Sequence, residues 1–536
     1  MTDLVLGPLL RWVDRDHATV WVEVDAPCTV DVLGATAPTF EVAGHHFALV
    51  EVDLADRGEV TPYEVRVDGV VLWPRPDDEW PAPVIRRPAT DRTVVVFGSC
   101  RAAAPDEEPW TLPRAEHPRG MGIDALEEYA ARLATTDHAD WPDLLLMLGD
   151  QVYADAASPE TRAYARRRRD TSRPPGEEVA DFEEYTRLYR ESWTDPEIRW
   201  LLSTVPTAMM FDDHDIIDDW NISASWLEDM RATEWWHDRI VGGLVAYWCY
   251  QHLGNLSPDD LATDPVVGQV RDRAGDAAPV LWRFAEEADR DPTTVRWSFH
   301  RHLAETDLVV LDTRAARVLD GERDMLDEDE WRWLADRLAA PARHVLVAST
   351  LPVLLPGAIH DVEGWNERLG DGAWGGPGRW AGEHVRRAID LEHWAAFGTS
   401  FDRLLGLLHD VVADPGVETV ALLAGDVHYG QVDRATWADL DQPMWQVVAS
   451  PMRQEVEPLA ARAFALARSP WGRTLGWALR RLSGGQPPAL SWETVEGPVL
   501  DNHVARVEAG PDGVHVTVLA SRRTPGLATA IERWLR

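Results

Sequence analysis

The chain breaks into short apolar runs separated by polar punctuation, and the rhythm of those runs changes once. From residue 1 to about 88 the runs are brief and rich in β-branched residues. Ala18-Thr19-Val20-Trp21-Val22-Glu23-Val24 alternates in part, as a half-buried strand does. Tyr63-Glu64-Val65-Arg66-Val67 alternates and runs into Asp68-Gly69, a hairpin turn signal. Short strands spaced by turn residues predict an immunoglobulin-like β-sandwich over residues 1–88. The Pro-rich stretch at residues 73–88 reads as a linker.

From residue 92 the runs become continuous. Val94-Val95-Val96-Phe97, Leu144-Leu145-Leu146-Met147-Leu148 and Ala208-Met209-Met210-Phe211 come first. Leu308-Val309-Val310-Leu311, Val345-Leu346-Val347-Ala348 and Val420-Ala421-Leu422-Leu423 follow. An unbroken apolar run is a strand buried on both faces. Between the runs lie helical patterns, for example at residues 122–133 and 330–338. The expectation is an α/β catalytic domain over residues 92–536, with insertions near 156–200 and 456–495. The Trp- and Gly-rich stretch at 365–380 reads as a flap.

Composition narrows the function classes. The 536 residues carry 91 acidic and 52 basic side chains, a net charge of −39. A basic surface for nucleic acid is therefore excluded, and a phosphate-handling site needs local positive charge from metal ions or clustered arginines. Every basic residue is Arg, so neither a Schiff-base lysine nor a P-loop lysine exists. Cys28, Cys100 and Cys249 stand far apart, which suggests neither a disulfide framework nor a cysteine zinc site. The N-terminus shows no signal pattern and no run reaches the length of a membrane span, so the expected location is cytoplasmic. No protein partner is identifiable. Two basic segments interrupt the acidic background: four consecutive arginines at 166–169, and residues 460–482 with Arg462, Arg468, Arg473, Arg480 and Arg481. A solvated face explains either. The alternatives are a phosphate-facing cap for the first and a lid or membrane-surface helix for the second.

The candidate chemistry sits where the apolar runs end. The first ends in Gly98-Ser99-Cys100-Arg101, the second in Gly149-Asp150-Gln151-Val152-Tyr153-Ala154-Asp155. The third ends in Asp212-Asp213-His214-Asp215, followed by Asp218-Asp219, and the sixth in Gly425-Asp426-Val427-His428. Open α/β sheets bind ligands at the carboxyl ends of their strands. Carboxylates and imidazoles at this density repel one another unless cations neutralise them, and such a donor set suits Mn, Fe, Ca or a mixture of them.

In this order the motifs resemble the alkaline phosphatase D-type (PhoD-like) metallophosphatases. Val310-Leu311-Asp312-Thr313-Arg314, Glu330-Trp331-x-Trp333-Leu334 and His393-Trp394-Ala395-Ala396-Phe397 resemble further segments of that family. The resemblance spans about residues 92–455. It implies a four-layer α/β/β/α core, an N-terminal β-sandwich and a centre of two or more metals, Fe(3+) with Ca(2+), with Mn or Zn as alternatives. Carried over by position, Asp150 is the bridging ligand, and Cys100 and Tyr153 are ligands of the iron. Asp213, Asp426 and His428 complete the metal ligands, and His214 is the acid beside the leaving group. Arg101 is the candidate for a non-bridging phosphate oxygen. Asp218 and Asp219 replace the family's asparagines, and His360 is the positional candidate for an isolated metal histidine. The implied activity is hydrolysis of phosphomonoesters or phosphodiesters by metal-bound hydroxide. The competing readings are an inert scaffold and, less compatible with a Cys–Tyr site, an oxygen-using enzyme.

Overall fold

A computed structural model describes residues 2–455, 464–523 and 526–536. The N-terminal part folds as two four-stranded antiparallel sheets. In one, Leu4–Val13, His17–Val24, His45–Asp53 and Phe40–Val42 lie in that order; in the other, Ala35–Pro38, Thr29–Val32, Val65–Val67 and Val70–Trp73. Leu10, Val20, Val22, Val30, Val50 and Val65 meet in one apolar cluster between them. At Asp68-Gly69 both residues have positive φ, 51° and 78°, the geometry that matches hairpin twist. The expected linker is not only a linker: Val84–Arg86 returns as a strand antiparallel to Val60–Pro62.

This part is tied to the rest by buried polar contacts. Arg11 donates to the carbonyls of Thr207 (3.0 Å), Tyr250 (2.7 Å) and Gln251 (2.7 Å). In return, Arg199 donates to the Gly7 carbonyl at 2.7 Å and the Tyr63 hydroxyl to the Ser203 carbonyl at 2.5 Å.

The six apolar runs all become strands, but in two sheets. The first three run parallel as Thr207–Met210, Leu144–Leu148 and Thr93–Gly98, and the sheet is completed by the antiparallel C-terminal strands His503–Gly510, Gly513–Ser521 and Leu527–Leu535. The last three, Thr306–Leu311, His344–Ser349 and Thr419–Ala424, form the parallel middle of a seven-stranded sheet. Strand periodicity sorts their side chains. Leu308, Val310, Leu346, Ala348 and Leu423 join the cluster shared with Val95, Leu146 and Val504 of the other sheet. The alternate residues Val309, Val345, Val347 and Leu422 pack on the opposite side against Trp331, Leu334, Phe401 and Leu404, from the helices Glu328–Leu338 and Gly398–Ala413.

The helical pattern at 122–133 is realised as Ala125–Leu133, started by Asp124, whose carboxylate accepts from the Leu126 and Glu127 amides. Such a cap satisfies amides that have no intrahelical partner. The expected flap at 365–380 is instead helical, in Gly357–Gly370 and Gly375–Ala388. The arginine run ends the helix Pro159–Arg168, and three of its four members are ion-paired. Arg168 meets Asp181 at 2.9 Å, Arg169 meets Glu184 at 2.9 Å, and Arg166 pairs with Glu177. Arg462, from the second basic segment, lies outside the described residues. Among the described residues, no helix is long and apolar enough to cross a membrane.

Candidate metal centre

Five strand ends, two sheets and one short helical turn build the site. Ser99-Cys100, Gly149-Asp150 and Asp212-Asp213-His214 leave one sheet; Asp312-Thr313-Arg314 and Gly425-Asp426 leave the other. His393 precedes the turn Trp394–Ala396. The loops are cross-linked through their backbones. The Cys100 amide donates to the Gly149 carbonyl (3.3 Å), the Arg101 amide to the Asp150 carbonyl (3.2 Å), and the Asp426 amide to Ser99 Oγ (2.9 Å).

Three of the five loops leave their strands by an unusual backbone. Cys100, Asp150, Asp426 and His428 have φ of 55°, 51°, 65° and 52°. Non-glycine residues rarely occupy this left-handed region, and its cost is tolerated mainly at functional sites. Gly149, at φ 101°, precedes Asp150, and a Cβ there would lie 2.8 Å from Asp212 Cβ. Only glycine fits both demands.

Several of the expected side chains lie close together. Asp150, Asp213 and His214 bring ligand atoms within 4.8 Å of one another, and so do Asp212, Asp213 and Asp426. Cys100 Sγ lies 3.2 Å from Asp150 Oδ2. The Tyr153 ring stands 4.8 Å from that of His214, centroid to centroid. His428 feels the charges of Asp426, His214 and Asp213, but burial dominates and lowers its pKa to about 4. His214 is oriented by Asp155, which meets its Nδ1 at 2.8 Å.

Electrostatically the cluster is short of positive charge. Burial, reinforced by Asp213 and Asp212, pushes the Asp150 carboxyl well above its usual range, and burial with Asp426 and Asp213 does the same to Asp212. Burial and then Asp150 push up the Cys100 thiol; burial and then Cys100 and Asp150 push up the Tyr153 phenol. Burial alone would lower His214, but Asp213 and Asp155 outweigh it and raise it. A bound cation inverts this logic, holding carboxylate, thiolate and phenolate in their charged forms. The polar atoms fit such a group. Asp150 Oδ1, Tyr153 Oη and Asp212 Oδ2 are buried with no hydrogen-bond partner among the described residues, an arrangement that costs free energy unless a ligand completes it; Asp213 Oδ1 and His393 Nε2 have only ion-pair neighbours, Arg314 at 3.2 Å and Asp426 at 3.5 Å.

Arg101 does not reach this cluster. It is buried and its guanidinium is consumed by Asp124 (2.8 Å), the Ser192 carbonyl (2.7 Å) and Glu127 (3.2 Å). The expected phosphate contact gives way to a role in anchoring the first loop. His360 is also elsewhere. It packs between Phe401 and Trp492, at ring distances of 4.9 and 5.0 Å, and burial lowers its pKa to about 4. The histidine that does approach is His393, whose Nε2 lies 3.5 Å from Asp426 Oδ2 while Glu363 holds its Nδ1 at 2.7 Å. Asp219 has φ 63°, and its amide donates to Asp213 at 3.0 Å; Asp218 is largely exposed, with its amide on Asp155.

Arg314 lies in the cluster although the motif pattern alone did not single it out. It is fully buried, meets Asp213 at 3.2 Å and Asp426 at 3.9 Å, and pairs with Asp212 and Glu392. Its signal was present, since Asp312-Thr313-Arg314 follows an apolar run just as the four metal motifs do. Asp312 shapes that turn by accepting from the amides of Arg314, Ala315 and Ala316.

Known proteins share the fold and the family of this chain. A family described as "Domain of unknown function (DUF7800)" matches residues 1–85. A solved chain described as "Structure of PhoD" superposes with a TM-score of 0.57 at 13% identity, covering 98% of this chain and 88% of that one, which makes the folds alike. No curated protein sequence matches. The family of PhoD-like phosphatases matches residues 127–462, more than half of the chain. The chain therefore belongs to the PhoD-like phosphatase family.

Proposed function

We propose that this protein is a metal-dependent hydrolase of phosphate esters, mono- or diesters. It would comprise an immunoglobulin-like sandwich at 1–88 and a four-layer α/β/β/α catalytic domain at 92–536. The observation that carries the reading is the convergence of buried ligand atoms at strand ends of two sheets, with Asp150, Asp213 and His214 within 4.8 Å of one another and Asp212, Asp213 and Asp426 likewise.

In this reading Cys100, Asp150 and Tyr153 hold one cation, with the sulfur and phenol favouring Fe(3+). Asp213, Asp426, His428 and His393 hold the rest, a mostly oxygen set compatible with Ca(2+). Cations there supply an activated water and neutralise charge on the phosphoryl oxygens. The protein's own contribution is positioning. Asp155 fixes the His214 ring through Nδ1 and, together with Asp213, favours its imidazolium form, whose Nε2–H is the proton delivered to the leaving oxygen. Glu363 orients His393 in the same way, as second partners of metal histidines do. Arg314 offsets the carboxylates that would otherwise repel one another before any cation arrives.

The test is metal analysis of purified protein with nitrophenyl mono- and diester assays on wild type and Asp150→Asn. The variant is expected to fold, lose most bound metal and lose turnover. Full metal content and full turnover in the variant would refute the site.

A further inference from the structure

Residues 458–492 contain no Asp or Glu and five arginines, in a chain where about one residue in six is acidic. The helix Pro470–Leu482 lies in this stretch, capped by Ser469, whose hydroxyl accepts from the Gly472 amide. It packs through a single buried position. A Cβ on Gly476 would sit 3.0 Å from the Ala358 backbone of the helix Gly357–Gly370. Ala478, Leu479 and Arg480 are half-buried, and the other large apolar side chains of the helix face water. Trp471 is 82% exposed, and Leu475, Trp477 and Leu482 are at least half exposed. With Leu466, Trp374 and Trp380 they make up seven of the eleven exposed large apolar side chains among the described residues. Scattered exposed leucines need no explanation, but a concentrated patch marks an interaction surface.

The arginines decide what that surface meets. Among the described residues, Arg473 and Arg481 make no ion pair; Arg481 lies over the Trp477 ring at 5.7 Å. Behind the helix is an open cleft of about 480 Å³ lined by Arg468, Arg473 and Arg480, together with Asp361 and Glu493. Arg480 already neutralises Asp361 at 2.6 Å, so the cleft retains an excess of positive charge. A second copy of this face would oppose arginines with arginines, which disfavours a symmetric dimer. Tryptophans and leucines projecting from a convex helix, with arginine stems beside them, are the makeup of an element that lies in a bilayer interface. The rest of the protein is strongly acidic, but at physiological ionic strength its field is screened within about 8 Å, so the local arginines govern contact.

We propose that the helix Pro470–Leu482, with Trp374, whose indole reaches the Leu482 carbonyl, docks the protein onto an anionic lipid bilayer. The docked face adjoins the candidate metal centre. Phe464 stacks on Tyr429 at 4.4 Å, and Tyr429 follows His428 in the chain. Docking would therefore hold the site's rim near the headgroup layer. The proposal stands apart from the phosphoesterase reading, because vesicle binding does not require turnover.

The test is co-sedimentation of the full-length protein with vesicles of phosphatidylcholine alone or with about 30 mol% phosphatidylglycerol, at about 0.15 M salt. Wild type is expected to partition about tenfold more strongly onto the anionic vesicles. The triple variant Trp471→Ser, Leu475→Ser, Leu482→Ser is expected to lose at least about tenfold of that binding, with unchanged circular dichroism and unchanged turnover of a soluble nitrophenyl ester. The pair Arg473→Gln, Arg481→Gln is expected to abolish the preference for anionic lipid. Equal sedimentation of wild type and triple variant would overturn the proposal. So would wild type that ignores vesicles but forms a dimer, or captures an acidic protein, through these same residues.

Discussion

His45 gives the N-terminal part a pH-dependent hold on the catalytic part. It opens the strand His45–Asp53, and both ring nitrogens meet carboxylates. Nδ1 lies 2.8 Å from Glu23, and Nε2 lies 2.9 Å from Glu183 on the helix Phe182–Trp193. The Tyr250 hydroxyl donates to Glu23 at 3.0 Å, and the Tyr164 hydroxyl donates to Glu183. Burial by itself would lower the His45 pKa, but the hydrogen bonds to Glu183 and Glu23 prevail and raise it to about 9. A tenfold gain in proton affinity is worth about 1.4 kcal/mol, so a rise from 6.5 to about 9 corresponds to about 3 kcal/mol of stability. The sign follows from proton linkage. The folded state binds this proton more tightly, so the contribution is fully present below about pH 6.5 and disappears as pH rises through about 9. The lowering of the Glu183 pKa to about 2 is led by its hydrogen bond to His45, the same interaction seen from its partner, with the Tyr164 hydroxyl and Arg168 adding to it. His45→Gln keeps the size and one hydrogen bond but not the charge. Urea unfolding of both proteins should show a deficit of about 3 kcal/mol for the variant at pH 6, shrinking towards zero by about pH 10. A deficit that stays constant between those pH values, or a His45 NMR titration near the unperturbed value, would refute the reasoning.

Arg314→Met should cost about 3–5 kcal/mol in urea unfolding, because it strands Asp212, Asp213 and Glu392 in the interior without their cation. A loss under about 1 kcal/mol would mean those carboxylates are protonated or solvated instead. Gly149→Ala should cost more than about 1 kcal/mol and reduce metal content, since φ is 101° and the methyl would meet Asp212; intact metal binding would show that the loop can relax. Protein isolated with its native metals should carry a visible charge-transfer band from Tyr153 and Cys100 on ferric iron, shifted or lost in Tyr153→Phe. Colourless, fully active protein would rule out iron while leaving the two-metal reading intact. Neutralising Arg166, Arg168 and Arg169 should leave KM unchanged, because their charges are spent on Glu177, Asp181 and Glu184; a raised KM would return them to the cleft.

What the sequence determined by itself was local. Continuous apolar runs such as Leu144–Leu148 and the Thr419–Ala424 region can satisfy their backbones and bury both faces only as interior strands. The polar residues that end them had to lie at strand ends, which made Cys100, Asp150, Asp213 and Asp426 legible as one chemistry. The Asp68-Gly69 hairpin was equally local, since turn geometry is set by a few adjacent residues. Three decisions belonged to tertiary structure. The division of six similar strands between two sheets depends on which apolar faces pack together, and Leu308 and Val309 look alike until one sheet lies against the other. The choice of His393 over His360 turned on distance in space, because both are single histidines in helical surroundings and only one meets Asp426. The exchange of Arg101 for Arg314 had the same cause. A guanidinium is committed by whichever carboxylates the fold sets beside it, and Asp124 claimed the first while Asp212, Asp213 and Glu392 claimed the second.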